Sequence, residues 1–145
     1  MARLRGPHLR GEDRMTRRLD LLDVAEALLE AAGMPGVTMT LADASKMPEA
    51  TVITAGPPMG ARRYWDGTGT TSQRLTVICK RFGEEAALGD ATEASRLMRR
   101  EGALLSANGS YRLVSCEAEG PRFVTWDPQG RWLYAFDATV TYEEL

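Results

Sequence analysis

The sequence predicts an α+β fold: a single antiparallel or mixed β-sheet with two helices packed against it. Three observations predict it. Helical periodicity occurs twice, once after Thr16 and once after Asp90. Strict two-residue alternation fills the C-terminal third, and an apolar run from Arg74 to Phe82 stands between the helices. With 145 residues, 43% hydrophobic and 26% charged, the chain can bury one core without disulfide or metal staples.

The first helix is read from its stripe. Leu21, Ala25, Leu28, Leu29 and Ala32 share one side, Asp23, Glu26 and Glu30 the other, and Gly33 with Pro35 ends it. Two short strands are expected next, one alternating through Val37, Met39 and Leu41, the other β-branched over Ala50 to Ala55. Gly56-Pro57-Pro58-Met59-Gly60 is expected to form a loop, because prolines neither extend a helix nor donate to a ladder. Arg62-Arg63-Tyr64-Trp65 follows, then a polar turn over Asp66 to Thr71. The strand Arg74 to Phe82 comes next, with Leu75, Val77 and Cys79 on one face.

The second helix is placed from an Asp90 N-cap with Glu93 three residues on, through Ala94, Leu97, Met98 and Leu105, to a stop at Asn108-Gly109. Strands are expected over Tyr111 to Glu119 and Phe123 to Trp126, joined through the type I turn Asp127-Pro128-Gln129-Gly130 to a last strand. There Trp132, Tyr134, Phe136, Ala138, Val140 and Tyr142 share one face and are expected to be core.

Charge divides the chain. Residues 1–18 carry six arginines against Glu12 and Asp13, about +4, so a net charge of −2 leaves about −6 for the remainder. Residues 1–15 are expected to form a basic N-terminal arm, disordered or lying ahead of a start at Met15, and residues 16–145 a single domain. No apolar run reaches the roughly 20 residues of a membrane span, and no secretory signal pattern is present. A cytoplasmic origin follows as the expectation.

Chemistry finds few residues. His8 is the only histidine, so a Ser-His-Asp or Cys-His arrangement has no base outside the tail. Cys79 and Cys116 lie in apolar runs, read as buried thiols, and are not spaced for zinc. The carboxylate pairs Glu84-Glu85, Glu117 with Glu119, and Glu143-Glu144 fall at turns or strand surfaces. Asp66-Gly67-Thr68-Gly69-Thr70 has no Gly-Lys-Ser/Thr to make a phosphate loop and reads as a hairpin connection. The sequence therefore predicts no enzyme, no cofactor and no metal. Arg62, Arg63, Tyr64 and Trp65 combine cations with rings, but on an acidic body that is a weak nucleic-acid signal. Trp, Tyr and Arg concentrated beside a long loop suit a protein contact instead.

A whole-chain pattern gives this reading a family. The helix Leu19-Asp20-Leu21-Leu22-Asp23-Val24-Ala25 precedes two short strands. Arg62-Arg63-Tyr64-Trp65-Asp66-Gly67 leads into Arg74-Leu75-Thr76-Val77-Ile78. A second helix is followed by a hairpin through Trp126-Asp127-Pro128-Gln129-Gly130, ending Phe136-Asp137-Ala138-Thr139-Val140-Thr141. Over roughly residues 16–143 the sequence resembles the small bacteriophage minor capsid proteins of the tail-terminator, or tail-completion, type.

The resemblance implies a structural virion protein. It would form a ring of typically six subunits at the head-proximal end of the tail, ending tail-tube polymerisation and joining tail to head. Its partners would be itself, the tail-tube protein and a head-completion or neck protein, with genome DNA passing through the lumen unbound and no membrane involved. It would reside in the virion tail, and in the host cytoplasm during assembly. Arg62, Arg63, Tyr64, Trp65 and Asp66 are the expected oligomer or tail interface. Two alternatives stay open: another neck or tail-tube protein, or a small DNA-binding regulator using the arginine arm.

Overall fold

The computed structural model describes residues 19–63 and 69–145. Its helices are α1 (Leu21–Ala31), α2 (Leu41–Ser45) and α3 (Glu84–Arg99). Its strands are β1 (Val37–Thr38), β2 (Ala50–Ala55), β3 (Met59–Arg63), β4 (Gly69–Phe82), β5 (Tyr111–Ala118), β6 (Arg122–Trp126) and β7 (Arg131–Glu144). All seven strands form one mixed sheet, in the order β1-β2-β4-β7-β5, with β3 also on β4 and β6 also on β7. Only β1 and β2 run parallel. The α+β expectation holds, with α2 as a third, short helix.

Two long strands organise the sheet. β4 and β7 pair antiparallel from Thr71↔Tyr142 to Phe82↔Arg131. Each is flanked on its outer edge by a strand broken in two. β2 lies against Leu75 to Lys80 and β3 against Gly69 to Ser72, with Gly56-Pro57-Pro58 between them. β5 lies against Ala138 to Glu144 and β6 against Trp132 to Ala135, with Glu119-Gly120-Pro121 between them. Proline cannot donate to a ladder, so each edge is interrupted where one occurs. The breaks stay attached, since the Gly56 amide bonds the Arg74 carbonyl at 2.8 Å and the Glu119 amide bonds the Asp137 carbonyl at 3.0 Å.

One face of the sheet is closed by α1 and α3. Leu21, Ala25 and Leu29 of α1 and Ala87, Ala91, Ala94 and Met98 of α3 pack on Leu75, Val77, Phe136, Val140 and Tyr142, all buried. Alanines at four- and three-residue spacing let α3 lie close to the sheet and leave room for the rings beneath. Burial of each large side chain here is worth about 1.5–3 kcal/mol. The opposite face is covered only in part, by α2 over Ala50, Val52 and Ile78.

Several boundaries differ from expectation. The alternation from Val37 stops at Thr38. Thr40 then caps α2, its hydroxyl accepting the Asp43 amide at 3.2 Å, so Leu41 opens a helix instead of ending a strand. The expected 56–60 loop covers only the proline break, because Met59 already opens β3; Gly69 to Thr71, expected in the polar turn, already belong to β4. Helix α3 starts at Glu84, six residues before the expected Asp90 cap. Gly83 supplies the entry with φ of 92°, and Glu84 and Glu85 favour the positive end of the helix dipole. The helix stops at Arg99 instead of Asn108-Gly109, and Leu105, expected on its stripe, is exposed beyond it. Helix α1 begins at Leu21, with Leu19 and Asp20 outside it and Asp20 as its N-cap, so it does not run on from the expected start at Thr16; Thr16 itself, and the arm over 1–15, lie outside the described residues.

Asp90 has another task. Arg81 occupies an inward position of β4 and is 1% exposed. Its Nε donates to the Asp90 carboxylate at 2.7 Å, one terminal nitrogen donates to the Ala50 and Lys80 carbonyls, and the other to the Thr51 hydroxyl at 2.7 Å. The guanidinium thus ties β4 to β2 and α3, with its charge paired and four hydrogen bonds made.

Candidate assembly interface

Two of the five expected interface residues, Arg62 and Arg63, are described. Arg62 and Arg63 are the last residues of β3, in register with Thr70 and Gly69. Tyr64, Trp65 and Asp66 lie outside the described residues. The backbone therefore carries Arg62 and Arg63 to the tip of a two-stranded extension, at the sheet end away from the β6–β7 turn.

That opposite end holds a surface the sequence did not single out. Every residue of β6 is exposed, including Phe123 at 52% and Trp126 at 51%. Phe123 sits edge-on to Trp132 and Tyr134, with ring centroids 5.9 and 5.8 Å apart, and Trp126 lies 6.0 Å from Trp132. Tyr134 belongs to the buried core and Trp132 packs against it. A row of rings thus runs from the core out to the sheet edge, on the face that carries α1 and α3.

The row is held in place from two sides. The Tyr134 hydroxyl donates to Glu84 at 2.6 Å, a bond that holds its proton and raises its pKa, with burial adding to the rise. The Gly83 amide bonds the Gly130 carbonyl at 3.1 Å, fixing the β6–β7 turn against the start of α3. Asp127 then closes the turn by accepting the Gln129 and Arg131 amides at 2.9 and 3.1 Å.

On the other face of the same region is an apolar groove of about 200 Å³ between α2 and the sheet. Leu41, Ala44, Val52, Ile78 and Leu133 line it, with Lys80 as its only charged residue. The Lys80 amine donates to the Ala44 carbonyl at 3.1 Å and holds α2 down. Elsewhere this face is polar, with Thr76 bonded to Asp137 at 2.7 Å, Ser72 to Thr141 at 2.9 Å, and Arg122 and Arg112 paired with Asp137 and Glu143.

A second polar device fixes α1. Asp20, buried just before the helix, accepts the Ser106 and Ser110 hydroxyls at 2.8 and 3.1 Å and the Ala107 and Asn108 amides at 2.9 and 3.0 Å. Burial works to raise its pKa, but the hydrogen bonds outweigh burial and leave it below the ordinary carboxylate value. The tie joins the start of α1 to the segment before β5.

Neither thiol is prepared for chemistry. Cys79 is buried and its pKa is pushed up to about 11 by desolvation, and half-buried Cys116 is raised for the same first reason. The carboxylate pairs hold surface positions, with Glu84 on Tyr134 and Glu143 on Arg112. No helix among the described residues is long and apolar enough to cross a membrane.

The aromatic row had one signal in the sequence. Phe123-Val124-Thr125-Trp126 places apolar residues at both parities, which a strand buried on one face does not do. The structure puts a register shift between Phe123 and Thr125, returning Trp126 to the face of Phe123.

No curated protein matches this chain in sequence. The family model described as bacteriophage tail terminator protein matches residues 36–144, from the residue before β1 to the last residue of β7. The chain therefore belongs to the bacteriophage tail terminator family, whose members are structural proteins of the phage tail.

Proposed function

We propose that the protein forms a closed ring, of six subunits in the form the family resemblance implies, at the head-proximal end of the tail. There it ends tail-tube polymerisation and offers its outer surface to a head-completion or neck protein. The observation that carries this reading is the family match across the whole sheet. Features of the described residues support it: two sheet edges with no further strand among those residues, exposed rings, and thiols that burial keeps protonated. The protein acts by assembly and carries no catalytic role.

Within this reading, Arg62 and Arg63 at the end of β3, with Tyr64, Trp65 and Asp66 of the same sequence run, contact the tail tube or a neighbouring subunit. The acidic remainder of the chain suits a lumen through which DNA passes without being held. Assembly takes place in the host cytoplasm, and the finished ring is part of the virion.

The test is direct. Full-length protein is mixed with tail-tube subunits and followed by light scattering and negative-stain microscopy. Closed rings and tubes of arrested length are expected. Tubes of unchanged length, with the protein monomeric throughout, overturn the proposal. Arg62→Glu with Arg63→Glu is expected to abolish tube capping while leaving the melting temperature unchanged.

A further inference from the structure

Resting on the ring reading, we propose that the aromatic row at Phe123 and Trp126 seats on the α2 groove of a second copy of this chain, making a head-to-tail subunit contact. The two surfaces belong to one end of the sheet but to opposite faces. Trp126 pairs in register with Trp132, whereas its neighbour Thr125 pairs with Leu133, which lines the groove. Alternate residues of a strand face opposite ways, so rings and groove lie back to back across the sheet.

Shape favours this occupant. A groove of about 200 Å³ with apolar walls accepts part of an aromatic side chain, and exposed Phe82, two residues beyond Lys80 on the same face of β4, extends the apolar surface. Charge favours it as well. At the start of α3, beside the rings, Glu84 and Glu85 carry negative charge, while Asp90 is already paired with Arg81 and Glu93 with Arg96. The groove offers Lys80, which has no carboxylate partner among the described residues, with exposed Lys46 just past α2. Asp43 and Glu49 lie outside the lining, and Glu49 is engaged by the Phe82 amide.

Area sets the scale. Two half-exposed rings offer on the order of 150–250 Å² together, the centre of an interface that buries about 800 Å² per partner. Because rings and groove face opposite ways, one partner cannot engage both at once, so the contact does not close on itself as a two-fold dimer. It propagates from copy to copy and ends only when a ring closes.

Two full-length variants test this: Trp126→Ala removes the projecting ring, and Ser45→Trp fills the groove from an exposed position. The wild type is expected to form rings, each variant alone to give single-chain mass by light scattering, and an equimolar mixture to give two-chain mass and nothing larger. The mixture retains one sound ring row and one sound groove, enough for a single contact. Should Ser45→Trp lower the melting temperature, Leu41→Asp, at a 63% exposed position, takes its place. Rings persisting in either variant, or a mixture that stays single-chain, overturn this contact while the ring reading stands. A wild type that is monomeric alone and with tail-tube subunits removes both.

Discussion

The two halves of the sheet share a plan and differ in what covers them. In the first, α1 leads through β1 and α2 to the broken strand β2/β3 and then β4; in the second, α3 leads to the broken strand β5/β6 and then β7. Both breaks fall at a Gly-Pro step. Yet the first four residues of β2 are buried, between α1 on one face and α2 on the other, while β6 is exposed throughout. The same hairpin thus serves as a wall in one half and as an outer edge in the other. The difference teaches that burial here is set by which helices the chain supplies, not by the strand pattern alone.

Four substitutions probe that contrast. The largest effect is expected from Arg81→Ala in the closed half, which leaves the Ala50 carbonyl without its donor and opens a cavity. It should cost about 4 kcal/mol in urea unfolding. Asp20→Asn, at the tie between the halves, replaces a carboxylate that accepts four hydrogen bonds by an amide with one acceptor oxygen and should cost about 3 kcal/mol. It also tests a pH dependence. Because the folded pKa is depressed, Asp20 stabilises the native state above the ordinary carboxylate value of about 4, and this is lost as pH falls through the lower folded value. The Asn variant should therefore show a shallower loss of stability in acid than the wild type.

Gly36→Ala comes third. Gly36 has φ of 60°, and an added Cβ would lie 2.5 Å from the Glu49 carbonyl oxygen. A loss of about 2 kcal/mol is expected, read from the melting temperature. Phe123→Ala in the open half should cost the isolated chain only about 1 kcal/mol, through its two edge-on ring contacts. A cost as large as that of Arg81→Ala would erase the distinction between the halves.

Much of the architecture was legible in the sequence because apolar period and burial agree. The alternation in β7 named its buried face, with Tyr134, Phe136, Ala138, Val140 and Tyr142 in the core and Trp132 at its margin. Strand β2 matches its β-branched run residue for residue. The start of α3 was missed because Gly89 reads as a breaker, yet a single glycine costs a helix only about 1 kcal/mol, which tertiary packing outweighs. Asp90 read as a cap because its use depends on Arg81, placed beside it only by the fold. The aromatic row was hidden for a related reason. Rings on a strand read as core, and only the course of the sheet reveals that nothing among the described residues lies over β6.

The long β4–β7 ladder has a consequence for timing. It joins residues 49 to 71 positions apart, which places the domain among slower-folding topologies. The groove draws residues from both strands, and the ring row leans on Trp132 and Tyr134 of the second. A chain caught before the ladder forms therefore presents neither surface complete, and under the proposed contact it would not join another copy.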